Sequence, residues 1–557
     1  MTRRHLLVAL PLTFMVALLA VLYGRVAIAP GSFLQPLLHT LTGTMASPRA
    51  SEVIVVGSGL AGLTAALEAL NSGTPKVCLL ERAAKPGGNS IKASSGINGA
   101  PTRFQNITGK EEAEAAQSFL DDTIRSAGSR LANSGGKLAR SQREVLISTL
   151  TSHSAEAIEF LSDLGVDLSV VAQLGGHSHA RTHRGSGKTP PGAAIVSTLL
   201  QTLAAKGDRF ELVTGCEVTK LLTRAVPGSP GQPAAVEVTG VEFRKDGELR
   251  ILHGPVVFTA GGFAGDTQGL LAEYRPDLGG IPSTNEPRPG AHKILSDAGA
   301  QLVDMESVQI HPTGFIDPAS PQTPLKFLAA EMLRGEGGIL LYNHRRFVNE
   351  LNTREHVSSA IMGLPPAAVE DSSSSSDAAD GSPPPPLRQF PVKLILDEGV
   401  HRHTQGHVGF YLWKGLMQMK KVSELDVSMQ AALTDYAAIV RGDKSDELGR
   451  TAFGHWRLGV DRPVEPDDEV LVGDVTPIVH FTMGGALTNE HGQVLASGLG
   501  DDPRPLAGLW AAGEITGGLH GDNRLGGSSL LECVVFGRIA GRQAAAQQAS
   551  QKASIYL

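Results

Sequence analysis

The chain of 557 residues has few cysteines, few aromatic residues and no excess of basic charge. Its three cysteines, Cys78, Cys216 and Cys533, lie far apart, which excludes a CxxC motif and the usual patterns for iron–sulfur clusters or haem attachment. The net charge of −7 and the lack of a basic, aromatic-rich stripe argue against nucleic-acid binding. An acidic chain that binds an acidic molecule must therefore concentrate its arginines and histidines at one site.

The chain is glycine-rich and longer than one hydrophobic core usually supports. A single core seldom extends past about 250–300 residues, so 557 residues predict more than one domain. The 65 glycines predict many tight turns and close backbone approaches, as found around a large cofactor.

One long apolar run lies near the N-terminus, at residues 6–28, after Arg3 and Arg4. It carries no charge before Arg25, and no acidic residue precedes Glu52. Its length is near the minimum for a transmembrane helix and long for the apolar part of a signal peptide. We expect residues 1–30 to be a targeting or anchor segment and residues 31–50 a linker. The destination, endoplasmic reticulum or mitochondrion, and cleavage of the segment are left open by the sequence.

A low-complexity segment interrupts the second half of the chain at residues 365–386. It contains a serine run at 372–376 and four prolines at 383–386. Such composition buries too little apolar surface to order itself. We expect a disordered surface insertion here.

A nucleotide-binding motif opens the ordered part of the sequence. A short β-rich run at 51–56 predicts a strand, the glycine pattern Gly57, Gly59 and Gly62 follows, and residues 63–70 predict a helix. A second buried strand at 77–80 ends in Glu81, 22 residues after Gly59. The glycines permit a tight turn and close approach of a pyrophosphate to the helix N-terminus, and the acid can accept from a ribose hydroxyl.

Three later segments favour FAD over NAD: the glycine-rich loop 85–98, a strand ending in small residues at 256–262, and a strand ending in Gly513-Glu514. Together they resemble the FAD-binding fold of succinate dehydrogenase and fumarate reductase flavoproteins. The resemblance and the glycine motif imply FAD contacts at Gly57, Gly59, Leu60, Ala61, Gly62, Glu81, Arg82, Gly88, Asn89, Ser90, Ser95, Gly96, Ala260, Gly261, Gly513, Glu514, Ser529 and Leu530.

Four further segments are informative only together. Taken singly, a histidine in a strand or an Arg–Glu pair three residues apart on a helix is most often structural. In this order and spacing, residues 309–313, 330–337, 346–355 and 479–527 resemble the soluble, single-chain fumarate reductases, over the stretch 51–546.

The resemblance implies a site for a dicarboxylate and an unusual acid. A dianion needs donors at both ends, which His311, His480 and Arg524 can supply, with Gly527 allowing close backbone approach. By its match to the family's Thr-Arg-acid segment, Arg354 is the proton donor. In the family, the positions of Glu331 and Arg334 form the relay that reprotonates it. One departure is Ala330, where the family often has a hydroxyl residue; Thr313 or Thr482 are the candidates to compensate.

Rival functions differ in a few residues. Membrane succinate dehydrogenase flavoproteins carry a histidine that binds FAD covalently; residues 89–98 contain none, so we expect non-covalent FAD. A reductase of another unsaturated acid would differ at the carboxylate-binding residues. A non-catalytic flavin protein would not need Glu331, Arg334 and Arg354. The histidines at 401, 403 and 407 lack an accompanying acid or cysteine pattern, so the sequence predicts no metal site.

The sequence thus predicts an α/β protein: a Rossmann-like FAD-binding domain at 51–312 and 472–546, with an inserted α+β capping domain at 313–471. We expect a monomeric oxidoreductase that reduces fumarate to succinate. Because the chain lacks iron–sulfur and haem-attachment patterns, electrons would come from a diffusible donor or a separate partner. The resemblance to the eukaryotic soluble enzymes implies NADH or a reduced flavin, FADH2 or FMNH2, and the lack of a second dinucleotide motif argues against a dedicated NADH domain.

Overall fold

The computed structural model describes residues 52–132, 138–187, 189–226, 235–367, 385–497 and 503–555. The apolar N-terminal run, the linker after it and most of the serine- and proline-rich segment lie outside these ranges, so the expectations about them remain expectations. Within these ranges the structure contains no helix that is long and apolar enough to cross a membrane.

The FAD-binding half is built on a large twisted sheet whose central strands are parallel and fully buried. Residues 53–56 pair in parallel with 77–80 on one side and with 256–258 on the other. Strands buried on both faces read as continuous apolar runs, which is why Val53–Val56 and Val77–Leu80 have no polar residue. The strand order is Phe210–Val213, Val77–Leu80, Val53–Val56, Val256–Phe258, Pro505–Ala511, Ala235–Lys245 and Cys216–Val226, with Gln493–Leu495 and Glu248–His253 added at the side.

A second, antiparallel sheet forms the core of the capping layer. Its longest strand, Glu469–Thr482, pairs on one side with Val308–Phe315 and on the other with Val392–Asp397. The order is Phe327–Leu328, Val308–Phe315, Glu469–Thr482, Val392–Asp397, Ile339–Tyr342 and Arg345–Arg346, with Gln418–Lys421 also on the long strand.

Small sheets and the helices complete the described fold. One small sheet has Leu302–Val303, Gly485–Leu487 and Thr516–Gly517; the other has Ile97–Asn98, Thr182–Arg184 and Val170–Ala172. The α-helices are Leu60–Asn71, Lys110–Ala132, Arg140–Ser152, Ser154–Asp163, Pro191–Ala204, Leu270–Tyr274, His292–Asp297, Met332–Gly335, Arg354–Met362, Glu398–Trp413, Val427–Arg441 and Ser528–Ile555. Short 3₁₀ turns lie at Ser90–Lys92, Gly207–Arg209, Pro276–Leu278 and Val422–Glu424.

Separate hydrophobic clusters support the two layers. One cluster packs helix Leu60–Asn71 between the main sheet and the C-terminal helix, through residues such as Leu63 and Val534. Another fills the second layer around Trp456 and Tyr436. The α/β fold with a capping layer therefore agrees with the expectation from the sequence.

The predicted domain boundaries both fall inside strands. Position 312/313 lies within Val308–Phe315, and position 471/472 lies within Glu469–Thr482. The two strands are antiparallel, and the neighbouring ends of the pair contact the C-terminal part of the chain: Thr482 bonds Glu514, and Ser307 bonds Gly521. The division into domains remains a proposal.

Candidate functional site

The glycine motif forms a cradle that side chains would fill. Gly57 has a φ of +100°, and a Cβ there would lie 2.5 Å from the Thr259 carbonyl oxygen. A Cβ on Gly62 would lie 1.9 Å from the Gly57 oxygen, so the third glycine is what lets the helix pack on the strand. Gly59 faces more open space, because a Cβ there would lie 3.7 Å from the nearest atom, the Ser90 hydroxyl oxygen.

Glu81 closes the cradle at the end of the second strand. Its Oε2 accepts hydrogen bonds from the Ser58 amide at 2.8 Å and the Ser58 hydroxyl at 2.5 Å, and its Oε1 accepts from the Ala83 amide at 2.7 Å. The Ser90 hydroxyl accepts from the Leu60 amide at 3.1 Å, at the N-terminus of the first helix. Glu81 is thus fixed by local backbone, and the helix N-terminus offers donors beside it.

One large cavity, of about 1160 Å³, runs from this cradle to the capping layer. Of the predicted cofactor residues, only Gly62 lies behind the wall, where it packs under the first helix. The others line the cavity: Gly57, Gly59, Leu60, Ala61, Glu81, Arg82, Gly88, Asn89, Ser90, Ser95, Gly96, Ala260, Gly261, Gly513, Glu514, Ser529 and Leu530.

The cavity suits an FAD molecule in shape and chemistry. Its volume exceeds that of most small-molecule pockets, and the glycines at its start permit the close approach that a pyrophosphate requires. Gly513, with a φ of +79°, has the side-chain-free backbone conformation expected where a cofactor passes. At its far end the same cavity is lined by Arg354, His480 and Arg524.

A β-bulge brings the two predicted histidines together. Gln309 pairs with Phe481 and Ile310 pairs with Val479, so His480 is the extra residue of the long strand. The His311 and His480 rings meet edge-on, with centroids 5.5 Å apart. His480 lines the cavity, and His311 lies one layer behind it.

Both histidines are neutral hydrogen-bonding groups. Burial, followed by the nearby charge of Arg354, lowers the pKa of each imidazole well below its ordinary value. His311 Nδ1 lies 3.2 Å from the Thr313 amide nitrogen, which can donate to it, and 3.1 Å from the Thr313 carbonyl oxygen, to which it can donate, so each tautomer has a partner at Thr313. His311 Nε2 and His480 Nδ1 have no hydrogen-bond partner among the described residues, which is unusual for buried polar atoms and typical of a ligand site.

Arg354 is the first residue of helix Arg354–Met362 and is buried. A cation at this end opposes the helix dipole, so its position is not explained by helix stability. Its Nε donates to Glu331 Oε2 at 2.9 Å, its Nη2 also contacts that oxygen, and its Nη1 donates to Gln309 Oε1 at 3.0 Å. The guanidinium is thus held in one orientation at the cavity wall.

Gln309 is a site residue that the sequence analysis did not identify. Its Oε1 accepts from both Arg354 Nη1 and Arg524 Nη2, at 3.0 and 2.9 Å. Its Nε2 donates to the Arg524 carbonyl oxygen at 2.8 Å. Gln309 therefore fixes the spacing of the two arginines. The sequence contained a sign of this role, because Gln309 and His311 are two residues apart on one strand and therefore share a face.

Arg524 is almost fully buried, with its guanidinium carbon 4.4 Å from the centre of the Phe481 ring. Burial, together with the positive charge of Arg354, lowers its pKa to about 9. Its Nε has no partner within the described parts of the chain. An anion placed here would relieve the repulsion between the two arginines.

The nearest acids only partly neutralise this charge. Glu331 is paired with Arg354, and burial raises the pKa of Glu514 to about 7. Glu514 accepts from the Thr482 amide at 2.9 Å. The Thr482 hydroxyl also faces Glu514, at 3.3 Å, and the Thr313 hydroxyl donates to the Ala329 carbonyl oxygen at 3.1 Å. Both threonines considered as compensation for Ala330 are therefore engaged elsewhere.

A second, smaller cavity of about 320 Å³ lies behind Arg354. It is lined by Glu331 and Arg334 and reaches the surface at Gly335 and Gly175, which are exposed. Arg354 lines the large cavity, and its partner Glu331 lines the small one. The ion pair between them spans the wall that separates the two cavities.

Arg334 lies next to Glu331 without a side-chain hydrogen bond to it. Its Nη1 donates to the Glu350 carbonyl oxygen at 2.6 Å, while Nε and Nη2 lack partners among the residues that the structure places. Burial lowers the pKa of Arg334 to about 10. The two side chains are close enough to interact electrostatically, but a direct proton path between them needs an intervening group.

Two of the three histidines of helix Glu398–Trp413 have protein partners. His403 Nδ1 lies 3.0 Å from the Gly399 carbonyl oxygen, and His407 Nε2 lies 3.0 Å from the Ser94 carbonyl oxygen. A different group, Glu52, Cys78 and Glu211, has ligand-like spacing, but the Lys76 ammonium sits 3.2 and 2.6 Å from its two carboxylates. These carboxylates are balanced by a lysine.

Comparison with known proteins agrees with this class of fold and site, an FAD-binding α/β flavoprotein. The family model described as an FAD binding domain matches residues 52–530. Fumarate reductase 1 of Saccharomyces cerevisiae is 41% identical over 505 residues, covering 88% of this chain and 97% of the relative. The fumarate reductase of Schizosaccharomyces pombe is 35% identical over 541 residues, covering 94% of each chain.

A solved structure of a flavocytochrome c3 fumarate reductase in its open conformation superposes with a TM-score of 0.66. It shares 25% identity and covers 94% of this chain and 83% of that one. The chain belongs to the family of single-chain flavoprotein fumarate reductases, and its cofactor is FAD.

Proposed function

We propose that the protein reduces fumarate to succinate in the large cavity. The observation that carries this proposal is the position of Arg354. It lines the cavity beside Arg524 and His480, and its ion pair with Glu331 reaches the second cavity on the solvent side. The names of the two yeast relatives support the choice of fumarate.

The dicarboxylate site is built from groups that each keep one polar atom without a protein partner among the described residues. The Arg524 guanidinium offers a planar fork to one carboxylate, with its Nε free of any described partner. The neutral imidazole of His480, which lines the cavity, donates at a carboxylate, and His311 supports it from behind through the contact between the two rings. Gly527, with a φ of +82°, allows close backbone approach. A dianion also removes the repulsion between Arg354 and Arg524.

The cradle at Gly57, Gly59 and Glu81 would hold FAD, which in its reduced form would provide the hydride, from N5, for one alkene carbon. The other carbon needs a proton from the opposite side of the double bond, and we assign this role to Arg354. The guanidinium is normally always protonated, so it serves only if a lost proton is replaced at once. Its hydrogen bond to Glu331 provides a path for such replacement, because a proton taken up by this carboxylate lies within reach of the guanidinium.

We propose that Glu331 receives its replacement proton from the small cavity. Glu331 and Arg334 both line it, and the exposed Gly335 marks its opening. Because the two side chains share no hydrogen bond, we infer that a water molecule in this polar cavity completes the step. The alternative is that Arg354 only stabilises developing negative charge.

A reductase of another small unsaturated acid is the second candidate. Activity on a panel of acids separates the two functions. Fumarate, with two carboxylates, should show a kcat/KM at least about 100-fold above that of acrylate, which cannot engage the donors at both ends. Higher kcat/KM with acrylate or another monocarboxylate would overturn the proposal.

The electron donor is a diffusible molecule, NADH or a reduced flavin, and we propose that the enzyme works as a monomer. The wide separation of the three cysteines, which excludes the usual iron–sulfur and haem-attachment patterns, supports a donor from outside the chain. Steady-state fumarate reduction with NADH, FADH2 and FMNH2 tried in turn identifies the donor, and the elution volume of the enzyme gives its size.

We predict that FAD is bound without a covalent link, since residues 89–98 contain no histidine. Precipitation of the protein with acid should release yellow flavin into the supernatant. Yellow colour that stays in the pellet would contradict this. The histidine to test next would then be His407, which lines the cavity and contacts Ser94 in that loop.

We predict that the N-terminal segment directs the chain to a membrane-bounded compartment, the endoplasmic reticulum or the mitochondrion. The basic start at Arg3 and Arg4 and the apolar run after it support this. A fusion of residues 1–45 to a fluorescent protein should leave the cytosol. A matched fusion with two aspartates inside the apolar run is the control, and a diffuse signal from both would count against the prediction.

A further inference from the structure

The backbone beside the proton donor is held from behind by a histidine outside the predicted site. His177 is buried, and its Nε2 lies 3.0 Å from the Gly526 carbonyl oxygen. Its Nδ1 lies 3.0 Å from Arg181 Nη1. A guanidinium can only donate, so Nδ1 accepts and the hydrogen must be on Nε2. His177 therefore donates to Gly526.

Arg181 fixes this tautomer of His177, because burial and further contacts hold the guanidinium in place. It is fully buried, its Nη1 also donates to Asp122 Oδ2 at 2.6 Å, and its guanidinium carbon lies 5.0 Å from the centre of the Phe119 ring. Asp122 in turn accepts from the Ser178 amide at 2.7 Å. Burial and the charge of Arg181 lower the pKa of His177 to about 4, so the imidazole is neutral at ordinary pH.

Gly526 lies beside the proposed proton donor, with too little space between them for a side chain. A Cβ on Gly526 would lie 3.2 Å from both Arg354 Nη2 and Glu331 Oε2. The same Gly526 oxygen also accepts from Asn98 Nδ2 at 2.8 Å. The Gly526 backbone is thus clamped between two donors on one side and the Arg354–Glu331 pair on the other, and Gly527 follows it into the cavity wall.

We propose that His177 is a positioning residue for fumarate reduction: by holding the Gly526 carbonyl, it sets the distance of the Gly526–Gly527 backbone from Arg354 and from the substrate carboxylate. The inference rests on the proposed function, because Arg354 and Gly527 have roles only in that reaction. His177 itself touches neither the substrate nor the cofactor.

Asparagine and glutamine at position 177 separate the two contacts of the imidazole. The amide of His177→Asn reaches the place of Nδ1 and can accept from Arg181, but it is too short to reach Gly526. The amide of His177→Gln extends to the place of Nε2 and can donate to the Gly526 oxygen. We expect His177→Asn to lower kcat for fumarate at least about 10-fold, with a smaller change in KM, since small misplacement costs mainly rate. His177→Gln should stay within about 3-fold of the wild type.

Controls separate a positioning role from a loss of folding. FAD content and Tm should be similar in the two variants, and His179→Asn, at an exposed position nearby, should leave kcat unchanged. Equal kcat in both variants, whether normal or reduced, would overturn the role of His177, because they differ in reach to Gly526. If wild-type enzyme loaded with FAD fails to reduce fumarate, the proposed function itself is wrong.

Discussion

Replacing Arg354 by lysine is expected to lower kcat for fumarate by about 100-fold or more, with a much smaller change in KM. Lysine keeps the positive charge, but its ammonium is shorter and lacks the planar fork that bonds Glu331 and Gln309. If Arg354 delivers the proton at one defined position, a displacement of about 1 Å is enough for this loss. Steady-state kinetics with a reduced dye as donor measures both constants.

The same variant tests the rival role of Arg354 as a purely electrostatic group. FAD content should stay normal, because Arg354 is on the capping layer and the cofactor cradle is elsewhere. Arg209→Lys is a matched control, since Arg209 bonds the Leu70 and Thr74 carbonyls far along the chain from the site. A near-normal kcat for Arg354→Lys would show that another residue is the acid, and the role of Glu331 and Arg334 would fall with it.

Replacing Arg524 by methionine is expected to raise KM for fumarate by about 100-fold, equivalent to about 2.8 kcal/mol of binding free energy. Methionine fills a similar volume and can still pack on Phe481, but it removes the charged fork that faces the cavity. The affinity for succinate, measured by titration of the oxidised enzyme, should fall by a similar factor because both dicarboxylates use the same fork.

A normal KM for Arg524→Met, with normal affinity for succinate, would show that the carboxylate binds elsewhere. The expected contrast between the two arginines is itself informative. Loss at Arg354 should appear mainly in kcat and loss at Arg524 mainly in KM, although both guanidinium groups bond the same Gln309 oxygen.

The sequence predicted those parts of the fold that depend on residues close together in the chain. The glycine motif, the buried strand before it and Glu81 after the second strand predict the cradle because each requirement is set within about 30 residues. The predicted helix at 63–70 is part of the observed Leu60–Asn71, whose start follows from Gly59 at the N-cap position. The choice of FAD over NAD did not follow from this local pattern: it depended on the later segments at 85–98, 256–262 and Gly513-Glu514 and on their resemblance to a known family.

The rest of the site depends on pairing between distant segments. The bulge that turns His480 toward the cavity is a mismatch of register with a strand some 170 residues earlier, which a single sequence does not specify. The bridging role of Gln309 and the contact of Gly526 with Arg354 arise only once three segments meet. The spacing of Glu331 and Arg334, three residues apart, is typical of an ion pair on a helix. It does not predict that their side chains share no hydrogen bond.

In the proposed reaction, the two hydrogens add to fumarate from opposite faces of the double bond. Turnover of FAD-loaded enzyme in D₂O with a reduced dye, followed by NMR of the product, tests it most directly. Every transferable hydrogen is then deuterium, so opposite-face addition to the trans alkene gives meso-2,3-dideuterosuccinate. We predict the meso product. The racemic diastereomer would contradict proton delivery by Arg354 from the far side, and a lack of deuterated succinate would contradict fumarate reduction itself.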